Sequence, residues 1–420
     1  MFLFRAPPPP ASFAACASNS GIGRHVPASR IPEPRRRLRR PLGLFQQLRR
    51  PQQTIDRGDH QRRGGLDRLS VYSIFSNEIV MLNSVQILRA LAAWIVVFHH
   101  YIQIFGYGKS NEVSNIIALY GSIGVDIFFV ISGFVIFTSA SQRSLTPGEF
   151  FIQRAARIVP AYWIFTLITA ATIYWAPSIM PLLGVDSISL LKSLFFIPTP
   201  NPSGIGIYPI LTVGWTLNYE VLFYAIFFLS LFLPRALLAP AIFFGVIIST
   251  YILPKMGGSF LFYGAPIVYE FLLGIIISII YQLGLLKRIN PMAAIPLVAI
   301  SIAAVALMPD TDTHDPMRLG IPSAIIVIAI ISQERYLPKL SILTKLGDFS
   351  YSTYLIHPIV IWYMLSAKNH FDLNLTLTLI ITCSLIMVFS WWSFAFIELP
   401  ISKLTKKRVL ESARQATSPT

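Results

Sequence analysis

Charge is scarce in this 420-residue chain: 13% of its residues are Asp, Glu, Lys or Arg, 54% are hydrophobic, and mean hydropathy is +0.62. Soluble globular domains carry about 25% charged residues, so the composition excludes an ordinary soluble protein and points to a bilayer. Cysteine is nearly absent. Cys16 and Cys383 give no disulfide framework and no metal-ligand spacing, and no other cluster resembles a zinc or iron site. Neither a metal nor redox chemistry is expected. Acidic residues are also few, 19 against 34 Lys and Arg, but the excess is unevenly spread. Residues 1–80 hold fourteen arginines, no lysine and five acids, a net +9, and the rest of the chain holds +6. A nucleic-acid partner is therefore not expected. The basic excess sits in an Arg/Pro-rich stretch, with prolines from Pro7 to Pro10 and arginines from Arg35 to Arg40 broken only by Leu38. This stretch lacks apolar periodicity and reads as a disordered extension. No apolar segment follows Arg5, so it is not a signal peptide either. The working chain is expected to begin at or near Met81, with 1–80 a mis-assigned start or a dispensable arm.

What is present is apolar sequence in bilayer-sized pieces. A hydrocarbon core about 30 Å thick requires roughly twenty mostly apolar residues per helix. On that measure an all-α, polytopic bundle of about ten spans is expected, near 86–105, 122–140, 158–176, 218–233, 238–254, 263–282, 291–308, 319–333, 351–366 and 374–397. They form one transmembrane domain over 81–402, followed by a basic tail at 403–420. Lys and Arg are retained on the cytoplasmic side. An even number of spans with the start inside places fifteen of them there and five outside, so both termini are expected in the cytoplasm. The Pro-rich loop of roughly 177–217 then faces outward.

Charge within a span costs about 2.5–3.5 kcal/mol on insertion scales, which makes each such residue a functional candidate. Four positions stand out: Arg89 and His100 in the first span, Asp126 in the second and Glu220 at the start of the fourth. Arg89 and His100 are eleven residues apart, almost three turns, and share one helix face about 16 Å apart. Counting from the expected span ends puts His100, Asp126 and Glu220 at one depth near the outer surface. A histidine beside a carboxylate can take a proton from a hydroxyl, because the carboxylate fixes the tautomer and stabilises the imidazolium. The plainer alternative is an interfacial histidine and a helix-start carboxylate. His99 points about 100° away from His100 and reads as structural. Arg154 and Arg157, three apart, would present two guanidinium forks suited to phosphate, or serve only as a topology signal.

The same residues carry a resemblance. Arg89 and His100 in Leu88–His100 resemble the Arg-then-ten-then-His signature of the membrane acyltransferase family 3. Gly124–Phe134 is similar to its Gly-x-x-x-Phe-Phe-x-x-Ser-Gly-Phe stretch, and Arg154 and Arg157 to its Arg-x-x-Arg. Trp215–Glu220 resembles its Trp-Ser/Thr-Leu-x-x-Glu block and Ser350–His357 its Ser-Tyr-x-x-Tyr-Leu-x-His block. Five blocks in order, over about Ser84 to Pro400, make the resemblance specific, and the wording is nearest the exopolysaccharide-production, ExoZ-like branch.

The resemblance implies a bacterial inner-membrane O-acyltransferase that takes an acyl group, acetyl in the first instance, from acyl-CoA. Its acceptor would be a glycan hydroxyl, its partners the lipid bilayer and polysaccharide biosynthesis or export machinery, and acetyl-CoA a donor substrate rather than a resident cofactor. Arg154 and Arg157 would hold the donor's phosphates, with the pantetheine arm along Arg89. His100, oriented by Glu220 or Asp126, would be base or acyl acceptor. Ser132 is a second possible acyl carrier, set beside Gly133, where a small residue also serves helix packing. His357 and Glu398 read first as structural. A transporter or flippase is the competing class, since intramembrane charge also marks translocation paths, but no internal repeat is visible. A chain started at Met81 is expected to reach the membrane fraction and act as the full chain does; loss of activity on that truncation would show that the arm matters.

Overall fold

The computed structural model describes residues 82–105, 112–143, 145–308, 314–337 and 341–417, and the expected extension at 1–80 lies outside them. Among the described residues the chain is helical, with a lone antiparallel bridge between Pro200 and Ile207. Helix α1 spans Asn83–Phe105. Its first amides are held by Glu334, whose two carboxylate oxygens each accept at 2.8 Å from the backbone of Asn83 and Ser84. A carboxylate there also complements the positive end of the helix.

Helix α2 (Glu112–Tyr120) leads into α3 (Ile123–Gln142), which runs antiparallel to α1. Gly124 makes the approach possible, because a Cβ there would lie 2.4 Å from the Ala92 carbonyl oxygen. Helix α4 (Pro147–Trp175) starts at a capping box between Thr146 and Glu149, with Pro147 in the first turn where its missing N–H costs nothing.

The segment after α4 carries a short helix, α5 (Ser187–Leu194), capped by Asp186. Backbone amides of Ser189 and Ile188 hold the Asp186 carboxyl below its usual range. The segment then folds inward: Ile210, Leu211, Thr212 and Val213 are all buried. Helix α6 (Trp215–Ser230) therefore begins inside the bundle, not at its rim. Helix α7 (Arg235–Ile252) and, after a bent 3₁₀ stretch, α8 (Tyr269–Gln282) follow. Helix α8 lies parallel to α3 along their whole shared length. Glycines set the spacing, since a Cβ on Gly133 would sit 2.1 Å from the Phe271 carbonyl oxygen and one on Gly274 2.1 Å from that of Val130. Thr138 and Ser278 hydroxyls close the far end at 2.7 Å.

Helices α9 (Pro291–Leu307), α10 (Ile321–Ser332), α11 (Ser341–Asp348), α12 (Ser350–Phe371), α13 (Leu375–Ser393) and α14 (Leu399–Thr417) complete the chain. All ten expected spans coincide with helical segments, but among the described residues six helices are long and apolar enough to cross a bilayer, or seven if the pair Gly258–Gly264 and Pro266–Gln282, bent by 48°, is one span. Pro291–Leu307 and Pro316–Ser332 fall short of that standard; at seventeen residues each covers about 25 Å. Helix α12 is long enough but polar, and Ser350, Ser352, Thr353 and His357 on it are fully buried. It is a central helix surrounded by protein. Outer helices show lipid-facing chemistry, with Met292, Ile295, Ile300 and Phe244 exposed.

The α3–α8 approach leaves no room for a side chain. Gly274→Val is expected to cost more than the 1–3 kcal/mol of ordinary overpacking, because backbone is what the new atoms meet. Thermal unfolding of detergent-extracted protein, compared with the exposed change Ile295→Val, checks it.

Candidate functional site

The site is built in two layers, one on each side of a narrow waist. The first is a cavity of about 120 Å³ between α1, α3, α4, α6, α8 and α12. Arg89, Arg154 and Arg157 line it, together with Ser132, Thr216, Glu220, Tyr224, Tyr351 and Tyr354. Helix α4 supplies Arg154 and Arg157 one turn apart, and the rings of Phe150 and Tyr224 lie 5.6 and 5.9 Å from the Arg154 guanidinium carbon. Tyr351 donates to the Ile158 carbonyl at 2.7 Å, which ties α12 to α4 beside the arginines.

None of the three guanidinium groups is ion-paired with a carboxylate among the described residues. The one acidic residue on the cavity wall, Glu220, is engaged elsewhere: it accepts from the Tyr224 hydroxyl and, at 3.1 Å, from Ser132. A second cavity adjoins the first and shares Arg154 and Arg157 with it, adding Asp348, Glu398 and Lys406. Burial pushes the Asp348 carboxyl above its usual range, and nearby Arg89 opposes the shift.

The second layer is a group of histidines. The His100 ring stacks on His357 with centroids 5.2 Å apart, and His99 meets His100 edge-on at 5.0 Å. His100 Nδ1 lies 3.1 Å from Gln103 Oε1. His99 Nδ1 lies 3.2 Å from the Ile117 carbonyl oxygen, which suits a structural tie between α1 and α2. His357 is fully buried, and its Nε2 has no hydrogen-bond partner among the described residues.

Between the layers stands the waist. The Tyr354 hydroxyl donates to the Val213 carbonyl at 3.0 Å and lies 3.1 Å from Thr216 Oγ1, while the Phe128 ring meets Tyr354 edge-on at 6.0 Å. His100 lies beyond it and is not on the cavity wall.

The structure thus separates residues that sequence counting put at one depth. Gly121 sits against His99. Asp126 is five residues further along the chain, roughly 7 Å deeper, and Ser132, which Glu220 touches, is about 9 Å deeper still. The reason is the buried end of the long loop, which starts α6 well inside the bundle. Neither Glu220 nor Asp126 is hydrogen-bonded to His100, so the expected orienting contact is absent among the described residues. Asp126 is instead paired with His314, Oδ2 to Nδ1 at 2.9 Å. Ser132 faces the cavity while neighbouring Gly133 makes the helix contact. Glu398 accepts from Ser352 and lines the second cavity.

Two residues were overlooked by reading the sequence. Glu270 lies inside the sixth expected span and is fully buried beside Asp126; the intramembrane-charge criterion finds it when applied there. His314 lies in the short connection before α10, on the side that the topology assigns to Asp126, and a search for histidines in connections on that side would have found it.

A bundle of apolar helices around a cavity lined by three arginines, with histidines beyond Tyr354, defines a membrane protein with a polar, titratable interior. The chain belongs to the acyltransferase family 3, whose acyltransferase domain it matches over residues 82–396. It is 38% identical over 248 residues, 57% of this chain and 77% of the relative, to the exopolysaccharide production protein ExoZ of Rhizobium meliloti. It is 29% identical over 294 residues, 64% of this chain and 70% of the relative, to the putative membrane-bound transacylase BcsY of Komagataeibacter xylinus. With the peptidoglycan O-acetyltransferase OatA of Listeria monocytogenes it shares 26% identity over 361 residues, 76% of this chain and 56% of that protein's length. No solved structure matches.

Because the waist separates His100 from Glu220, the two are expected to fail independently. In acyl-transfer assays the double change His100→Gln with Glu220→Gln should lose about the product of the single losses, as distant sites do. A double variant no worse than His100→Gln alone would show that the two act as one unit.

Proposed function

We propose that this acyltransferase moves an acyl group, acetyl from acetyl-CoA, onto a hydroxyl of an exopolysaccharide or another envelope glycan. It would do so in the bacterial inner membrane, with about ten passes and both termini in the cytoplasm. The observation that carries the reading is the set of three guanidinium groups, Arg89, Arg154 and Arg157, on one cavity without ion-paired partners among the described residues. Buried charge left unpaired is costly, and an anionic ligand relieves that cost. CoA is such a ligand, with phosphates for Arg154 and Arg157 at the junction of the two cavities and a long uncharged arm for the channel beside Arg89. The forked guanidinium suits phosphate better than a point charge does.

The thioester end would then lie under the waist. Rotation of Tyr354 away from Val213 and Thr216 would open the way to His100, which would act on the acyl group as base or as transient acceptor. The similarity to ExoZ and BcsY supports an exported or cell-surface polysaccharide as the acceptor class. Membranes holding the protein should release free CoA from acetyl-CoA when such a glycan is supplied, and glycans of cells lacking the gene should lose base-labile ester. A chain that consumes no thioester would overturn the reading and leave a transporter as the alternative.

The arginine pair gives a sharper test. Arg154→Lys with Arg157→Lys keeps the positive charge that sets topology but removes the forks. Normal membrane insertion with a raised KM for acetyl-CoA is expected. An unchanged donor requirement would leave the pair with a topological role alone.

A further inference from the structure

The pair of histidine and buried carboxylate expected around His100 is present in the structure, but around His314. Its Nδ1 lies 2.9 Å from Asp126 Oδ2; the Asp126 side chain is fully buried, whereas that of His314 is 13% exposed. Asp126 is in the first turn of α3, where helix amides favour a negative charge. A carboxylate at Nδ1 draws the proton to that nitrogen and leaves the Nε2 lone pair available. Among the described residues Nε2 makes no hydrogen bond. The Trp215 ring packs against the imidazole at 5.2 Å and limits its rotation.

The backbone is consistent with a held residue. His314 has φ 66°, in the left-handed region, which a non-glycine residue keeps only where its neighbours hold it. Asp315, the next residue, caps the following turn by accepting from the Met317 and Arg318 amides. His100, by contrast, has only a neutral amide oxygen at Nδ1, a weaker support for an imidazolium. Neither residue of the pair lines the cavity, but Val125 and Thr216, the chain neighbours of Asp126 and Trp215, do.

We propose that His314, positioned by Asp126, accepts the proton of the acceptor hydroxyl, leaving His100 to handle the acyl group. The proposal rests on the acyltransferase reading above. In the step, the acceptor O–H bond breaks and its proton goes to His314 Nε2, while the oxygen bonds to the acyl carbonyl carbon. The acyl carbon's bond to the thioester sulfur then breaks, or its bond to a His100 nitrogen if the group has moved there. The electron pair stays with the leaving atom. His314 gives its proton to water, and the thiolate takes one from water.

The test uses the full chain in membrane vesicles with acetyl-CoA and two acceptors: the cells' own glycan, stripped of esters by base, and hydroxylamine. The amine lone pair of hydroxylamine attacks without losing a proton first and so needs no base. His314→Gln is expected to lower kcat on the glycan by about 10²–10⁴-fold, the usual loss with a general base. Glycan KM should stay within a few-fold, and protein-dependent hydroxamate formation near that of the unchanged chain. Asp126→Asn should show the same split between acceptors, as a positioning group would, and His100→Gln should lose both products.

Unchanged glycan transfer in His314→Gln would overturn the assignment, as would equal loss of glycan ester and hydroxamate, which a purely structural pair would give. If the arginine and His100 variants behave as expected while His314→Gln does not, the base assignment alone falls. If the unchanged chain makes neither product from acetyl-CoA, the acyltransferase reading with that donor falls with it.

Discussion

The contact on which the rest depends is the crossing of α3 and α8 at Gly133 and Gly274, where backbone meets backbone with no side chain between. Lipid offers no hydrophobic drive for helices to associate, so close van der Waals contact must supply it. This contact also fixes register. With α3 and α8 parallel and their first turns level, Asp126 and Glu270 come together in the bundle interior. One turn above Gly133's own level, Val130 faces Gly274, while Ser132 on another face of α3 reaches Glu220. Shifting either helix by one residue would rotate these polar groups by about 100° and turn them toward apolar neighbours.

Polar chemistry in the interior is sustained by hydroxyls more than by opposite charges. Glu220 is held by Ser132 and Tyr224, and Glu398 by Ser352. The arginines are left without ion pairs, which is the opposite of what stability alone favours. Cations left uncommitted among the described residues are open to an anion from outside the chain, because no internal carboxylate competes for them.

Much of this was legible in the sequence, and the omissions have physical causes. Helix positions followed from apolar length, since a bilayer imposes its thickness on every span. The approach of Arg89, Arg154 and Arg157 could be anticipated because all three lie near the same end of their helices. The depth of Glu220 could not, because counting inward from a span end assumes that the end is at the surface, and the buried run Ile210–Val213 breaks that assumption. Helix α12 was read as one more span, and what apolar length did not show is that its serines, threonine and histidine are buried among other helices. His314 escaped because a single histidine in a connection carries no periodic signal; only the tertiary fold places it on Asp126.

The waist of Tyr354, Thr216 and Phe128 has an electrical consequence. Water conducts and packed side chains do not, so a hydrated cavity that ends at such a layer concentrates most of the membrane voltage across a few ångströms of protein. Moving one elementary charge through that field changes its energy by about 2.3 kcal/mol per 100 mV, whereas a neutral group crosses without that term. A layer of this kind discriminates by charge at no cost in binding: a neutral group meets only its steric barrier, whereas a proton or an anion meets the field as well.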